Sequence, residues 1–351
     1  MKILFLSEHH PGSQGGIQTL GRVLKNYFGK DLKFLSFKEK DKNFIKIFQV
    51  EDVIEIKKGN FIFKVLNKIL RNSLREYQMN KIIKEINPDI VILGFPHEIN
   101  YLKNIKCKKI LVQHINYDIY IKNFFNYDLR LIEKIKEEID KFIFLSKFDL
   151  EIFREKLKLN KEKIKVIRHS SEVDLFFGSK EKNKNLIMVA RLQNNHKRFD
   201  LVIKAMKKLQ EFNLKIYGDG PDKEDLQALI DQEKVENVYL MGGTNKIQEA
   251  LDKASIFIMT SDFEGYGITN IEAMRRGLPI ILRNTFEAAL DIIVDNQNGI
   301  LLAKEWNEDQ FIEAVYKIYD NYEYYSKNAL ILARRYNSEV IKEEWRKIIY
   351  E

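Results

Sequence analysis

Short apolar runs rich in isoleucine, leucine and valine recur along the chain in two successive series, and they constrain the fold more than any other feature. The first series is KILFLS at residues 2–7, DIVILG (89–94), KKILVQH (108–114), KFIFLS (141–146) and KIKVIRH (163–169). The second is NLIMVAR (185–191), FNLKIYGDG (212–220), NVYLMGG (237–243), ASIFIMTS (254–261) and LPIILRN (278–284). Helical periodicity fills the intervals, as over Gln18–Phe28, Phe63–Ile86 and Leu129–Ile139. A strand with one wet face alternates apolar and polar residues, whereas a continuous apolar run is buried on both faces. Helices covering both sides of a parallel sheet provide that environment. Two series therefore predict two doubly wound α/β domains, 1–168 and 169–330. Residues 331–351 are separately expected to form a helix that packs back toward the N-terminal domain. The boundary falls near residues 168–182, where periodicity gives way to the polar HSSEVDLFFGSKEKNKN. A chain of 351 residues with 45% hydrophobic content has enough length and apolar surface for two such cores.

Open parallel sheets bind ligands beyond the carboxyl ends of their strands, so the residues just after each run carry the functional information. After the first run comes SEHHPGSQGGIQTLGRVL, where Gly12, Gly15 and Gly16 lead into a helix starting near Ile17. Glycine lets backbone approach a ligand, and a helix start offers N–H groups to an anion. The spacing is neither G-x-G-x-x-G nor a P-loop, and a plain turn is the competing reading. ARLQNNHKRFD places Arg191 and Lys197 around a polar loop at a strand end, an arrangement suited to a diphosphate; solvated surface cations are the alternative. In YGDGPDKEDL, Gly218 and Gly220 read as a tight strand-to-helix turn with Asp222 near the helix start. Gly242 and Gly243 in LMGGTNK present bare backbone, either to the edge of a nucleobase or simply as a turn.

DFEGYGITNIEAMRRGLPI (262–280) is the most informative stretch. Glu264 is expected at the carboxyl end of a strand. Gly265, Tyr266, Gly267 and Ile268 then turn the chain into a helix whose free N–H groups suit phosphate oxygens or sugar hydroxyls. Glu272 is expected about two turns into that helix, its two carboxylate oxygens matching the vicinal hydroxyls of a ribose. His114 ends another run and should point to the same edge, with His9, His10, His97 and His169 having similar claims.

In these residues the sequence resembles the retaining glycosyltransferases of family 4, which have the GT-B fold of two Rossmann-like domains facing across a cleft. The likeness extends over nearly the whole chain and is strongest from Asn185 to Leu302, with the Glu264-x₇-Glu272 segment its most specific element. It implies that Glu264 contacts the donor sugar, with backbone amides of Gly265–Ile268 around sugar and diphosphate. It further implies that Glu272 holds the ribose, that Arg191 and Lys197 stabilise the departing diphosphate, that Gly15 and Gly16 bring first-domain backbone to the phosphates, and that His114 lies beside the reacting carbon. Departures are Arg198 where many members have glycine, EAALDII (287–293) without a glycine pair before Asp291, and Arg168, His169 and Ser170 in place of Pro-Asn-Gly. The expected activity is retaining transfer from a nucleotide-diphosphate sugar, a UDP-sugar first, to a lipid-linked or cell-envelope glycan. Attack on the donor's front face, with the leaving phosphate taking the acceptor's proton, comes from the resemblance alone. D-x-D is absent from the chain, which argues against a carboxylate-bound metal, and no other cofactor is expected.

Charge and compartment complete the picture. Residues 1–170 hold 34 Lys and Arg against 21 Asp and Glu, whereas residues 171–351 hold 25 against 30. A basic half points to an anionic neighbour, and no recognised nucleic-acid motif accompanies it. One cysteine, Cys107, and no long apolar span predict a cytoplasmic protein, peripheral on the inner face of the membrane. The membrane contact is expected from Lys64, Lys68, Arg71 and Arg75, opposite a stripe of Phe63, Leu66, Leu70, Leu74 and Tyr77. Two other readings compete: a sugar-nucleotide epimerase of similar architecture and a non-enzymatic nucleotide- or nucleic-acid-binding protein.

Overall fold

A computed structural model describes residues 1–8, 10–13, 15–38, 51–57, 73–117 and 129–351. The chain forms two compact units, Met1–Arg168 together with Ile341–Glu351, and His169–Val340.

Among the described residues, the first unit is built on a parallel sheet of β1 (Ile3–Ser7), β2 (Leu32–Lys38), β3 (Val53–Lys57), β4 (Ile90–Leu93), β5 (Lys108–Gln113), β6 (Lys141–Phe144) and β7 (Ile164–Val166). Their order is β3-β2-β1-β4-β5-β6-β7, with Ile3 in register with Leu32 on one side and Ile90 on the other. The second unit repeats the design with β8 (Asn185–Val189), β9 (Asn213–Tyr217), β10 (Val238–Gly242), β11 (Ile256–Met259), β12 (Ile280–Arg283) and β13 (Gly299–Leu302), ordered β10-β9-β8-β11-β12-β13 and again parallel. Both are doubly wound, Rossmann-like sheets. Every residue of the inner strands β1, β4, β11 and β12 is buried, the burial their continuous apolar runs require. Edge strand β10 alternates, leaving Tyr239 and Met241 exposed on one face.

All the expected strands are present, shortened by a few residues at their ends. The sequence reading missed β2, β3 and β13. LKFLSFK and VIEIK interleave lysine, serine and glutamate with apolar residues, and GILL is short and opens on glycine, so none forms a long continuous run.

In each sheet the strand order reverses at one point, between β1 and β4 and between β8 and β11. The loops leaving two neighbouring strands diverge there and open a crevice at their carboxyl ends, where doubly wound sheets take ligands.

The Ser73–Ile86 helix carries the described end of the expected membrane contact. Its inner face is Met79 and Ile83, while Tyr77 is 72% exposed. Arg75 donates to Glu8 Oε1 at 3.1 Å and lies 5.9 Å from the Tyr101 ring centroid, so it is tied to its own unit. Lys64, Lys68 and Arg71, like Phe63, Leu66 and Leu70, lie outside the described residues. No helix among the described residues is long and apolar enough to cross a membrane.

The Ser338–Tyr350 helix ends within the first unit. Lys108 Nζ donates to the Ile348 carbonyl at 2.6 Å, and Tyr350 meets Phe28 edge-on.

Candidate functional site

The loops leaving β8 and β11 converge at the reversal point of the second sheet. The β8 loop runs through Arg191 into a single helical turn, Asn194–Lys197, and Arg198 follows in the left-handed conformation with φ 56°. The β11 loop carries Ser261, Asp262, Phe263 and Glu264 before the Ile268–Arg275 helix. Lys197 Nζ and Ser261 Oγ both donate to Glu264 Oε1, at 2.6 and 2.7 Å. The two charged side chains are only 14% and 11% exposed. Burial pushes the Glu264 carboxyl up, but the Lys197 ammonium, His196 and the Ser261 hydroxyl together outweigh it and hold the group below its ordinary value. The site thus presents an ionised carboxylate beside a cation in a largely dry setting.

A dense frame holds these loops. The His196 ring stacks on Phe263 with centroids 3.8 Å apart and 7° between planes, and its Nε2 lies 2.6 Å from the Phe263 carbonyl. Burial first, then the neighbouring Lys197, lowers the imidazole's pKa and favours its neutral form. Thr260 Oγ1 donates to the carbonyls of Lys197 and Arg198. Arg283, buried beneath, donates to the Thr260 carbonyl at 2.7 Å and to Asp262 at 2.8 Å. Asp262 also accepts from Arg198.

The helix after Glu264 begins at Ile268, directly after the expected turn. Gly267 is its N-cap at φ 73°, where a Cβ would lie 2.6 Å from Asn270 Nδ2. Glu272 is therefore one turn into the helix, not two. Strand β11 ends at Met259, so Glu264 stands in the loop beyond it. Gly265, Tyr266 and Ile268 complete the turn, with Tyr266 buried. Gly242 ends β10, its carbonyl accepting from Gly218 N at 2.9 Å, and Gly243 follows, where an added Cβ would meet only the Asp219 Cβ at 3.8 Å.

In the first unit, Gly15 caps the Gly16–Phe28 helix, one residue earlier than expected. Arg22 holds the loop before it, donating to the carbonyls of Pro11 and Ser13 and to Thr19 Oγ1. His114 directly follows β5. His10 accepts from Gly12 N through Nδ1, His97 bonds Glu8 at 3.1 Å, and His169 Nδ1 faces the Ser170 carbonyl at 2.8 Å. Among the described residues no group of three or more His, Cys, Asp or Glu side chains is arranged to hold a metal ion.

Ser261, His196, Asp262, Arg283 and Arg22 were not singled out from the sequence. Apart from Ser261, which bonds Glu264 three residues on, each acts through a partner distant in the chain or through backbone carbonyls, and neither leaves a mark in local pattern.

Comparison with known proteins agrees with this geometry. Residues 172–330 match the model for glycosyl transferases group 1. A Haemophilus influenzae protein described as an uncharacterized glycosyltransferase is 26% identical over 96% of this chain and 97% of its own length. The poly(glycerol-phosphate) alpha-glucosyltransferase of Bacillus subtilis is 29% identical over 42% of this chain, a match covering only 22% of that longer enzyme. The Anabaena HepE structure in complex with UDP and glucose superposes with a TM-score of 0.79 at 16% identity, covering all of both chains. Residues 172–330, most of the second unit, thus match the group 1 glycosyl transferases, and the two Rossmann-like units have the GT-B fold.

Proposed function

We propose that this protein is a retaining, metal-independent family 4 enzyme that moves a sugar from a UDP-sugar to a cell-envelope glycan or lipid-linked acceptor. The Lys197–Glu264 pair at the strand-order reversal of the second sheet carries this reading. A nucleotide sugar departs as a diphosphate, so the barrier is charge developing on phosphate. Fixed cations and helix-start amides stabilise that charge best where water is scarce. Lys197, with Arg191 on the same loop, supplies the cations, and the turn from Gly265 to Ile268 supplies the amides. Glu264, held ionised, accepts from the donor sugar's hydroxyls, and Glu272 accepts from the ribose. Gly242 and Gly243 border the nucleobase. Gly15, Gly16 and His114 are the first unit's contributions to phosphates and sugar. UDP and glucose in the HepE complex support the donor class. A polyol-phosphate glucosyltransferase among the relatives, together with the basic first half, supports an anionic envelope acceptor and work at the inner membrane face.

The test is a panel of UDP-sugars offered with polyol-phosphate and polyprenyl-linked acceptors, with and without EDTA, and the product anomer read by NMR. Glu264→Gln should lower turnover at least ~10²-fold, equivalent to about 3 kcal/mol of transition-state stabilisation, with UDP affinity unchanged. Near-normal turnover of this variant would sink the assignment. Formation of an epimer from UDP-sugar alone would instead favour the epimerase reading.

A further inference from the structure

We propose that His196 is a positioning residue: by stacking on Phe263 and bonding its carbonyl, it fixes the loop that presents Glu264 to Lys197. This rests on the reading of Glu264 as a donor-sugar contact. The argument starts from adjacency. His196 precedes Lys197 on one loop, and Phe263 precedes Glu264 on the other, so the two loops are joined by consecutive rungs. One rung is the ring stack with its 2.6 Å hydrogen bond, and the other is the 2.6 Å ion pair. Beside the first rung, Asp262 N donates to the His196 carbonyl at 2.8 Å.

The ion pair cannot set its own geometry. A lysine ammonium is a point charge on a flexible stem, with no directional fork to orient a carboxylate. Glu264 stands on a segment between Met259 and Ile268 without regular backbone structure. The aromatic rung is directional in both its parts. Near-parallel rings fix the plane, and a carbonyl, which only accepts, requires the hydrogen on Nε2 and fixes the tautomer. Catalytic electrostatics depend on such preorganisation, because a carboxylate displaced by about 1 Å loses its hydroxyl partner.

The experiment is a double-mutant cycle on UDP-glucose turnover with water as acceptor, comparing His196→Ala, Phe263→Leu, Glu264→Gln and the two doubles that include Glu264→Gln. Each of the first two should lower kcat/KM about tenfold or more while UDP affinity stays within about twofold. In the Glu264→Gln background the same changes should have less than about a twofold effect, because the residue they position is already disabled. Equal fold losses in both backgrounds would overturn the proposal. Phe263→Tyr retains the stack and should retain activity, and melting temperatures identify any variant that fails to fold. A second readout is independent of turnover: the side-chain carboxyl ¹³C resonance of Glu264 should titrate below the ordinary glutamate range in the parent and move up in Phe263→Leu. An unmoved titration overturns the proposal. Full activity of Glu264→Gln would refute the functional reading and leave the titration to decide the positioning role.

Discussion

Arg198 stands in the left-handed conformation that favours glycine, immediately after Lys197. For a side chain bearing a Cβ this is a strain of about 1–2 kcal/mol. Its guanidinium meets Asp200 through two 3.1 Å bonds and Asp262 through one at 3.3 Å. Such partly exposed pairs contribute about 0.5–1 kcal/mol each, comparable to the strain. Arg198→Gly removes both strain and pairs and should leave stability within about 1 kcal/mol of the parent. Arg198→Ala keeps the strain and loses the pairs, so it should be less stable than the glycine variant by about 1 kcal/mol. Urea denaturation of the three proteins tests this ranking, and an alanine variant as stable as the glycine one contradicts it. Lys197 gives a different, pH-dependent outcome. Lys197→Met strands a buried carboxylate and should destabilise by about 2 kcal/mol at neutral pH, somewhat less than for a fully buried pair. Because Lys197 holds the folded-state pKa of Glu264 down, its contribution is present above the ordinary glutamate value and is lost as pH falls through the lowered folded value. The deficit of the variant should therefore shrink on acidification from about pH 5 to about 3. A deficit that is constant over that range would show that Lys197 acts through packing instead.

At the scale of elements, the strand ends show which glycines hold the fold and which leave room for a ligand. Gly218 follows β9 at φ 153°, and a Cβ there would lie 1.8 Å from the Ala190 carbonyl oxygen. Gly243 follows β10, and the nearest atom to its added Cβ would be the Asp219 Cβ at 3.8 Å. Gly218→Ala should accordingly destabilise by on the order of 2–3 kcal/mol, since backbone has to move. Gly243→Ala should leave the melting temperature unchanged and weaken UDP binding if a nucleobase approaches this turn. Loss of stability in Gly243→Ala would assign that glycine to the fold instead. The same contrast explains what was legible in the sequence. Inner strands such as IVIL and IFIM announce themselves because burial on both faces demands an unbroken apolar run. The Gly218 turn was legible because it is local. Edge strand VIEIK was not, because its polar positions resemble a loop. Of the site, Glu264, Lys197 and Arg191 were visible from their place after strands. Their pairing was not: Lys197 and Glu264 are 67 residues apart, and the stack of His196 on Phe263 spans the same separation. Glu272 lies one turn and not two into its helix because that helix starts only after the left-handed Gly267.

For the whole molecule, the consequential fact is that the chain leaves the first unit at Arg168 and returns to it at Ile341. The returning segment carries a full apolar face: Ile341, Trp345, Ile348 and Ile349 are each 4% exposed or less. Trp345 is among the largest fully buried side chains of the protein. Contacts to Lys108 and Phe28, which belong to β5 and to the Gly16–Phe28 helix, show that the segment completes the first unit. The second unit has its own core around Leu186, Phe199, Phe212, Ile256 and Phe311, drawn from residues 169–340 alone. The stability of the first unit should therefore depend on the last residues of the chain, while that of the second should not. Trp345→Ala removes a buried indole and should destabilise the first unit by about 3–5 kcal/mol. Deletion of residues 341–351 should act in the same direction and more strongly. Hydrogen exchange followed by mass spectrometry reads the two units separately: amides of β1, β4 and β5 should lose protection in Trp345→Ala, while those of β8, β11 and β12 keep theirs. Equal loss of protection in both sheets would mean that the units unfold as one cooperative body and that the terminal helix supports more than the unit it completes.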